Sequence, residues 1–292
     1  MNTRVRQLGF ILVVTLASCE SKEKLRAQIE DELAKNKGVF AVAFKDLSSG
    51  DEILIREHER FHAASTMKTP VMIEVFRQAA GGRFGLDDSL LVRNEFVSIV
   101  DSSIYSLQPD EDSDQELYGL VGRKQSIAQL LYYMITSSSN LATNILIGQV
   151  GPENVTSTMH NYGATDLAVL RGVEDQKAFD KGMINSLTAY DLMIIFEKIA
   201  KGEAVDASSS EEMMLILLDQ NFNDIIPALL PPEVKVAHKT GWLKGLHHDS
   251  GIVQLPDGRR YVLVLLSRNL EDEKAAVLSM ASVSKMIFDY VE

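Results

Sequence analysis

The sequence contains one cysteine, no apolar run long enough to span a bilayer, and fewer basic than acidic residues. The lone Cys19 excludes an intramolecular disulfide. The apolar run at residues 8–17 is too short for a transmembrane helix. The 29 basic and 41 acidic residues give a formal charge of −12, which argues against nucleic-acid binding because that binding depends on Lys and Arg at phosphates. Internal repeats and a Gly-rich phosphate loop are also missing.

The overall composition is typical of a globular protein. Of the 292 residues, 46% are hydrophobic and 24% are charged, which suits a sizeable core. We expect no cofactor and no metal, and we expect a monomer.

The N-terminus has the features of an export signal. Arg4 and Arg6 precede the apolar run, which ends in Leu-Ala-Ser-Cys at Cys19. This ending resembles a bacterial lipobox, so residues 1–18 are predicted to be a signal peptide and Cys19 the lipidated first residue. The predicted location is the cell envelope, periplasmic or at the cell surface, with the lipid anchor as the only membrane contact. A plain secretory signal with an incidental cysteine is the alternative.

Patterns in the rest of the chain predict one α+β domain, residues 19–292. Strand patterns lie near both ends, while the segment from about 65 to 230 is mainly helical. We therefore expect a five-stranded antiparallel sheet, built from residues 38–57 and 234–267, with an all-helical lobe inserted. The predicted helices at the two ends are residues 22–37 and 273–291, and the predicted strands are residues 39–45, 52–56, 234–238, 251–255 and 261–266.

A Ser-x-x-Lys motif, Ser65-Thr66-Met67-Lys68, stands at the predicted start of a buried helix. Two other matches, at Ser21 and Ser282, lie beside the processing site and inside an amphipathic helix. A helix keeps residues three apart on one face, so Lys68 is placed to take a proton from Ser65. It can do so only if burial and a second cation, for which Lys239 is the candidate, lower its pKa. The alternative is a helix cap beside a solvated lysine.

Two further motifs follow in order. Ser138-Ser139-Asn140 joins two helical patterns, and on its own it is most simply a helix cap. Lys239-Thr240-Gly241 ends an alternating strand pattern, where Gly241 leaves room for a substrate and the other two residues are suited to bind a carboxylate. The backbone N–H groups of Ser65 and Trp242 would then form an oxyanion hole. The alternative for this motif is a strand end with a charged tip.

These three motifs, in this order, resemble those of class A β-lactamases and the related penicillin-binding proteins, the penicillin-recognising serine hydrolases. The resemblance covers residues 24–292 and implies an acyl-enzyme on Ser65. It also implies that Ser138 relays a proton to the leaving nitrogen and that Asn140 holds the amide of the substrate. The middle residue, Ser139, is commonly Asp in the family.

The resemblance also implies a loop glutamate that activates water for deacylation. Glu174, in the segment 170–176, is the candidate, and a solvated loop carboxylate is the alternative. Ala178 stands where the family usually has Asn. An ion pair between Arg171 and Asp180 is expected to join the two ends of this loop.

The carboxylate-binding arginine of the family is missing after the Lys-Thr-Gly motif. His247, His248 or Arg268 are the candidates to replace it. Two histidines followed by Asp249 also leave a metal site open, although neighbours on a strand face opposite ways. Histidines without a specific role are the simplest alternative.

An acidic segment, residues 109–114, is predicted either as a solvated loop or as a lip over the cleft.

The predicted function is that of a serine β-lactamase acting on a small β-lactam. The alternatives are a D-alanyl-D-alanine peptidase or esterase of the same fold, acting on peptidoglycan-like peptides or esters, and a non-catalytic envelope binding protein.

Overall fold

The computed structural model describes residues 21–292, so Cys19 and the predicted signal peptide lie outside the described residues. The strands are β1 Val39–Asp46, β2 Glu52–Ile55, β3 Phe61–His62, β4 Ser89–Leu91, β5 Phe96–Val97, β6 Ile104–Tyr105, β7 Lys124–Ser126, β8 Ser186–Leu187, β9 Lys235–Leu243, β10 Leu246–Gln254 and β11 Arg260–Arg268. The helices are α1 (residues 21–33), α2 Lys68–Ala80, α3 Ile127–Thr136, α4 Asn140–Val150, α5 Pro152–Asn161, α6 Gln176–Asp180, α7 Ala189–Ala200, α8 Ala207–Leu218 and α9 Glu273–Val291.

The predicted fold class is confirmed. The main sheet has five strands in the order β2-β1-β11-β10-β9, and all neighbours are antiparallel. The helical lobe lies between β2 and β9 in sequence. It also contains three short strand pairs that the prediction lacks, β3 with β8, β4 with β7, and β5 with β6.

Alternating side chains make both faces of the sheet apolar. In β1, Val42 and Phe44 pack with α1 and α9, whereas Ala41 and Ala43 face the lobe. This alternation follows from the two-residue period of a strand. The result is a three-layer arrangement with the sheet between the terminal helices and the lobe.

Helix α2 is the central element of the lobe. Val71, Met72, Ile73 and Val75 are all fully buried, although they lie on different sides of the helix. The polar residues Lys68, Glu74 and Gln78 of the same helix are buried as well, so α2 is enclosed on all sides. Its first turn points toward β9, the edge strand of the sheet. Within the described residues, no helix has the length and apolar character needed to cross a membrane.

Three boundaries differ from the predictions by four or five residues. Strand β9 continues to Leu243, five residues beyond its predicted end. The described part of α1 ends at residue 33, four residues before the predicted end. Strand β10 begins at Leu246, five residues earlier than predicted, because its polar residues His248, Asp249 and Ser250 are fully buried rather than placed in a loop.

Candidate active site

Ser65 lies at the floor of a cleft between the sheet edge and the lobe. It belongs to a short 3₁₀ turn, Ala64–Met67, that leads directly into α2. The cleft has a volume of about 790 Å³, and Ser138, Asn140 and Glu174 line it together with Ser65. Residues from three separate parts of the sequence therefore meet around one hydroxyl group.

Lys68 is fully buried beneath this cleft. Its ammonium donates to the Ser138 carbonyl oxygen at 2.6 Å, to Ser138 Oγ at 3.1 Å and to Asn140 Oδ1 at 2.9 Å. Burial lowers the pKa of Lys68 to about 7, although the Asp112 and Glu174 carboxylates oppose the shift. Lys68 is thus an amine that can accept a proton near neutral pH.

Ser138 Oγ lies between two buried lysines. Lys239 Nζ donates to it at 3.1 Å, the same distance as Lys68 Nζ. Burial and the nearby Lys68 hold the pKa of Lys239 well below its usual range, with Asp249 opposing. The hydroxyl of Ser138 is therefore in contact with two amines whose pKa values are lowered by burial.

Asn140 connects Lys68 to Glu174. Its Oδ1 accepts from Lys68, and its Nδ2 donates to Glu174 Oε1 at 2.6 Å. Burial raises the pKa of Glu174, the Asp112 and Glu111 carboxylates add to this effect, and the hydrogen bond from Asn140 opposes it. A half-buried carboxylate with a raised pKa beside the cleft is suited to act as a general base.

Three residues of the site have left-handed backbones although none is glycine. Ala64 has φ of 43°, Ser138 of 58° and Glu174 of 62°. Such conformations are costly for residues with a side chain, and they concentrate at functional sites. Each of them sets the direction of one reacting side chain or of its immediate neighbour.

The segment 170–176, here named the Glu174 loop, is held by a residue that the sequence reasoning missed. Asn144 accepts from the Val173 N–H at 2.6 Å and donates to the Val173 carbonyl oxygen at 3.0 Å. An ideal Cβ built on Gly172 would lie 2.3 Å from Asn144 Oδ1, so only glycine allows this approach. Asn144, one turn after Asn140 in an otherwise apolar helix, was the available signal.

The ion pair expected between Arg171 and Asp180 is not formed. Arg171 donates to the carbonyl oxygens of Met183 and Gly172, at 3.0 and 2.9 Å. Asp180 instead accepts from Gln176 Nε2 at 2.6 Å. The short helix α6 turns Asp180 away, so backbone acceptors satisfy the buried guanidinium.

Strand β9 passes close to the nucleophile segment. A Cβ on Gly241 would lie 3.2 Å from both the Ser65 nitrogen and the Ala64 Cβ. Thr240, Gly241 and Trp242 line the cleft, and Trp242 is 62% exposed. Gly241 therefore permits the close approach that brings the Ser65 and Trp242 backbones to one side of the cleft.

Two of the three residues proposed to replace the missing arginine form contacts outside the substrate-binding region. Arg268 donates to Glu59 and to the Arg60 carbonyl oxygen, and it stacks over Phe61 at 4.9 Å. His248 is fully buried and donates from Nε2 to the His62 carbonyl oxygen at 2.9 Å. Burial lowers its pKa to about 4, so it carries no charge at neutral pH.

His247 remains as a cleft residue, with Lys244 beside it. Its Nε2 lies 2.9 Å from Glu273 Oε2, whereas Asp249 contacts His238 at 2.8 Å. The adjacent histidines and Asp249 thus have different partners. No cluster of His, Cys, Asp and Glu able to hold a metal ion occurs in residues 21–292.

The acidic segment packs against the site rather than extending into solvent. Asp112 and Asp114 are 6% and 7% exposed, and Glu111 and Ser113 line the cleft. The segment therefore forms a lip, which was the second of the two alternatives.

Comparison with known proteins agrees with this geometry. The family model described as "Beta-lactamase enzyme family" matches residues 24–291, so the chain belongs to that family. Among curated relatives, the extended-spectrum β-lactamase PER-1 of Pseudomonas aeruginosa is 24% identical, with 96% of this chain and 92% of the relative covered. A β-lactamase of Bacteroides uniformis is 23% identical, with 96% and 98% covered.

Solved structures show the same fold. A β-lactamase from Xanthomonas campestris has a TM-score of 0.81 at 22% identity, with 93% of this chain and 99% of that chain covered. The protein PBP-A has a TM-score of 0.78 at 24% identity, with 92% and 96% covered.

Proposed function

We propose that this chain is a serine β-lactamase, which opens the β-lactam amide through an acyl-enzyme on Ser65. The observation that carries the proposal is the chain of contacts from Lys68 through Asn140 to Glu174, in the cleft that Ser65 lines. Membership of the β-lactamase enzyme family supports the same reaction.

In acylation, Ser65 Oγ attacks the ring carbonyl and its proton passes to Lys68, directly or through water and Glu174. The N–H groups of Ser65 and Trp242 stabilise the negative oxygen of the tetrahedral intermediate. The ring C–N bond then breaks, and Ser138 gives a proton to the leaving nitrogen. Ser138 recovers that proton from one of the lysines that contact it.

In deacylation, Glu174 takes a proton from a water that attacks the ester carbonyl. The bond from this carbonyl to Ser65 Oγ breaks, the proton taken up by Glu174 returns to that oxygen, and the open-ring product leaves. Asn140 is proposed to hold the amide of the substrate, while Lys239 and Thr240 bind its carboxylate. Gly241 leaves room for the substrate along β9.

A peptidase or esterase of the same fold is the second candidate. The likeness to PBP-A supports it, because a mutant of that protein has been solved as an acyl-enzyme complex with penicillin G. A non-catalytic binder is disfavoured, since two buried lysines around one hydroxyl serve no purpose in simple binding.

Time-resolved intact mass with a penicillin separates the candidates. For the β-lactamase we expect a transient adduct and continuing release of the hydrolysed product, each molecule heavier than the penicillin by one water. A persistent adduct with no release would instead support the peptidase. Absence of both adduct and hydrolysed product would support the binder.

We further propose that residues 1–18 are removed and that a lipid on Cys19 anchors the domain of residues 19–292 to the cell envelope, where β-lactam hydrolysis would confer antibiotic resistance. The support is the sequence pattern alone. Cys19→Ser should move the protein from the membrane fraction to the soluble fraction. An unchanged distribution would contradict the anchor.

A further inference from the structure

The Asp112 carboxylate, in the lip of residues 109–114, accepts hydrogen bonds from two backbone N–H groups and one side-chain hydroxyl. Both of its oxygens accept from the Asn140 N–H at 3.0 Å, and Oδ2 also accepts from the Leu141 N–H at 3.0 Å. The Tyr118 hydroxyl donates to Oδ2 at 2.9 Å. The carboxylate is only 6% exposed, so these contacts replace its water.

These contacts complete the start of α4. The first N–H groups of a helix have no partner within the helix. Ser139 caps α4 through a single bond from the Ala142 N–H, at 3.3 Å. The N–H groups of Asn140 and Leu141 would otherwise lack a partner, and Asp112 supplies it from a segment 28 residues earlier in the chain.

We propose that Asp112 is a positioning residue for the reaction at Ser65, because it fixes the first turn of α4 and so holds the Asn140 side chain between Lys68 and Glu174. The proposal rests on the proposed function in its choice of reaction. Its physical content, the control of Ser65 reactivity through Asn140, does not depend on the identity of the natural substrate.

The charge of Asp112 has a second effect on the same groups. It raises the pKa of both Lys68 and Glu174, since a nearby negative charge favours the protonated form of each. The other charged groups around them are Glu111, which also raises the pKa of Glu174, and Lys239 beyond Ser138. Removing the Asp112 charge therefore lowers the pKa of either candidate base. In a plot of Ser65 reaction rate against pH, the fall in rate on the acid side, here called the acid limb, then moves to lower pH.

The test uses Asp112→Asn, which keeps an acceptor oxygen without the charge, and Asp112→Ala, which removes both. Asp110→Asn and Glu116→Gln are the matched controls, because both are exposed acids near Asp112 in the sequence. A chromogenic aryl phosphonate reports on Ser65 directly: Ser65 Oγ bonds to phosphorus, the bond from phosphorus to the phenolic oxygen breaks, and the serine proton goes to the base. Its rate is measured from pH 5 to 9, beside steady-state hydrolysis of a chromogenic cephalosporin and the thermal midpoint.

We expect the acid limb of Asp112→Asn to lie about one pH unit below that of the wild type, a roughly tenfold change in the deprotonated fraction of the base at low pH. Asp112→Ala should show the same shifted limb and, at the high-pH plateau, react at least about tenfold more slowly than the wild type, the rate equivalent of a lost helix cap. Both controls should keep the wild-type limb.

An unshifted limb in Asp112→Asn would overturn the proposal, as would an equal shift in either control. Wild-type protein that hydrolyses no cephalosporin, but shows the shift with the phosphonate, would refute the proposed function and leave the role of Asp112 standing. Wild-type protein inert to both reagents would overturn both.

Discussion

At the scale of single residues, the defining feature is a pair of buried lysines that share one hydroxyl. Lys68 and Lys239 are both fully buried and both donate to Ser138 Oγ at 3.1 Å. Burying two ammonium groups beside each other costs stability unless they lose protons. The molecule keeps this unfavourable arrangement where an uncharged amine is useful.

This cost should be visible in the pH dependence of stability. Folding lowers the pKa of Lys68 to about 7, so between that pH and the usual lysine range the unfolded chain holds more protons and stability rises with pH. We expect the free energy of unfolding, from urea titrations at pH 7.5 to 9.5, to rise more steeply in the wild type than in Lys68→Met. The difference in slope should approach about 1.4 kcal/mol per pH unit. Equal slopes would mean that Lys68 titrates alike in both states.

At the scale of elements, the position of the Glu174 loop depends on residue 172 being a glycine, which has no side chain. Gly172 packs against Asn144, whose side chain hydrogen-bonds to both the N–H and the carbonyl oxygen of Val173. The two residues belong to different elements, so their contact ties the loop to α4. Glu174 follows two residues later with a left-handed backbone, and any shift of the loop moves its carboxylate.

Gly172→Ala should therefore impair deacylation more than acylation. The added Cβ would overlap Asn144 Oδ1, whereas Ser65 and Lys68 lie on another element. In rapid-quench experiments with a penicillin, we expect the acyl adduct to accumulate while its formation rate changes less than its decay. Gly119→Ala is the matched control, since a Cβ there meets no atom within 4 Å. Equal losses in both steps would show that the loop does not act separately.

At the scale of the whole molecule, the sequence predicted what local periodicity encodes. The segments 39–45 and 261–266, each beside a turn signal, were predicted as strands, and they do pair, with Val42 opposite Leu265. The order of the three motifs predicted the groups that meet in the cleft. The strands follow from local patterns, whereas the meeting of the three motifs follows from their resemblance to those of the penicillin-recognising serine hydrolases.

Contacts between distant segments could not be predicted in this way. The capping of α4 by Asp112 joins a loop to a helix start, and an acidic run by itself looks solvated. The ion pair between Arg268 and Glu59 depends on how β11 lies beside β3, which no local pattern shows. Burial of a polar strand is visible only in the folded sheet, so the sequence alone does not show that His248 is enclosed away from the substrate.

The central claim is that Ser65 carries the acyl group and Glu174 removes it. The most direct measurement is intact mass followed by peptide mapping after Glu174→Gln is mixed with a penicillin. The account predicts an adduct on the peptide that contains Ser65, decaying at least about 10²-fold more slowly than in the wild type and absent from Ser65→Ala. An adduct on another residue, or unchanged decay in Glu174→Gln, would contradict it.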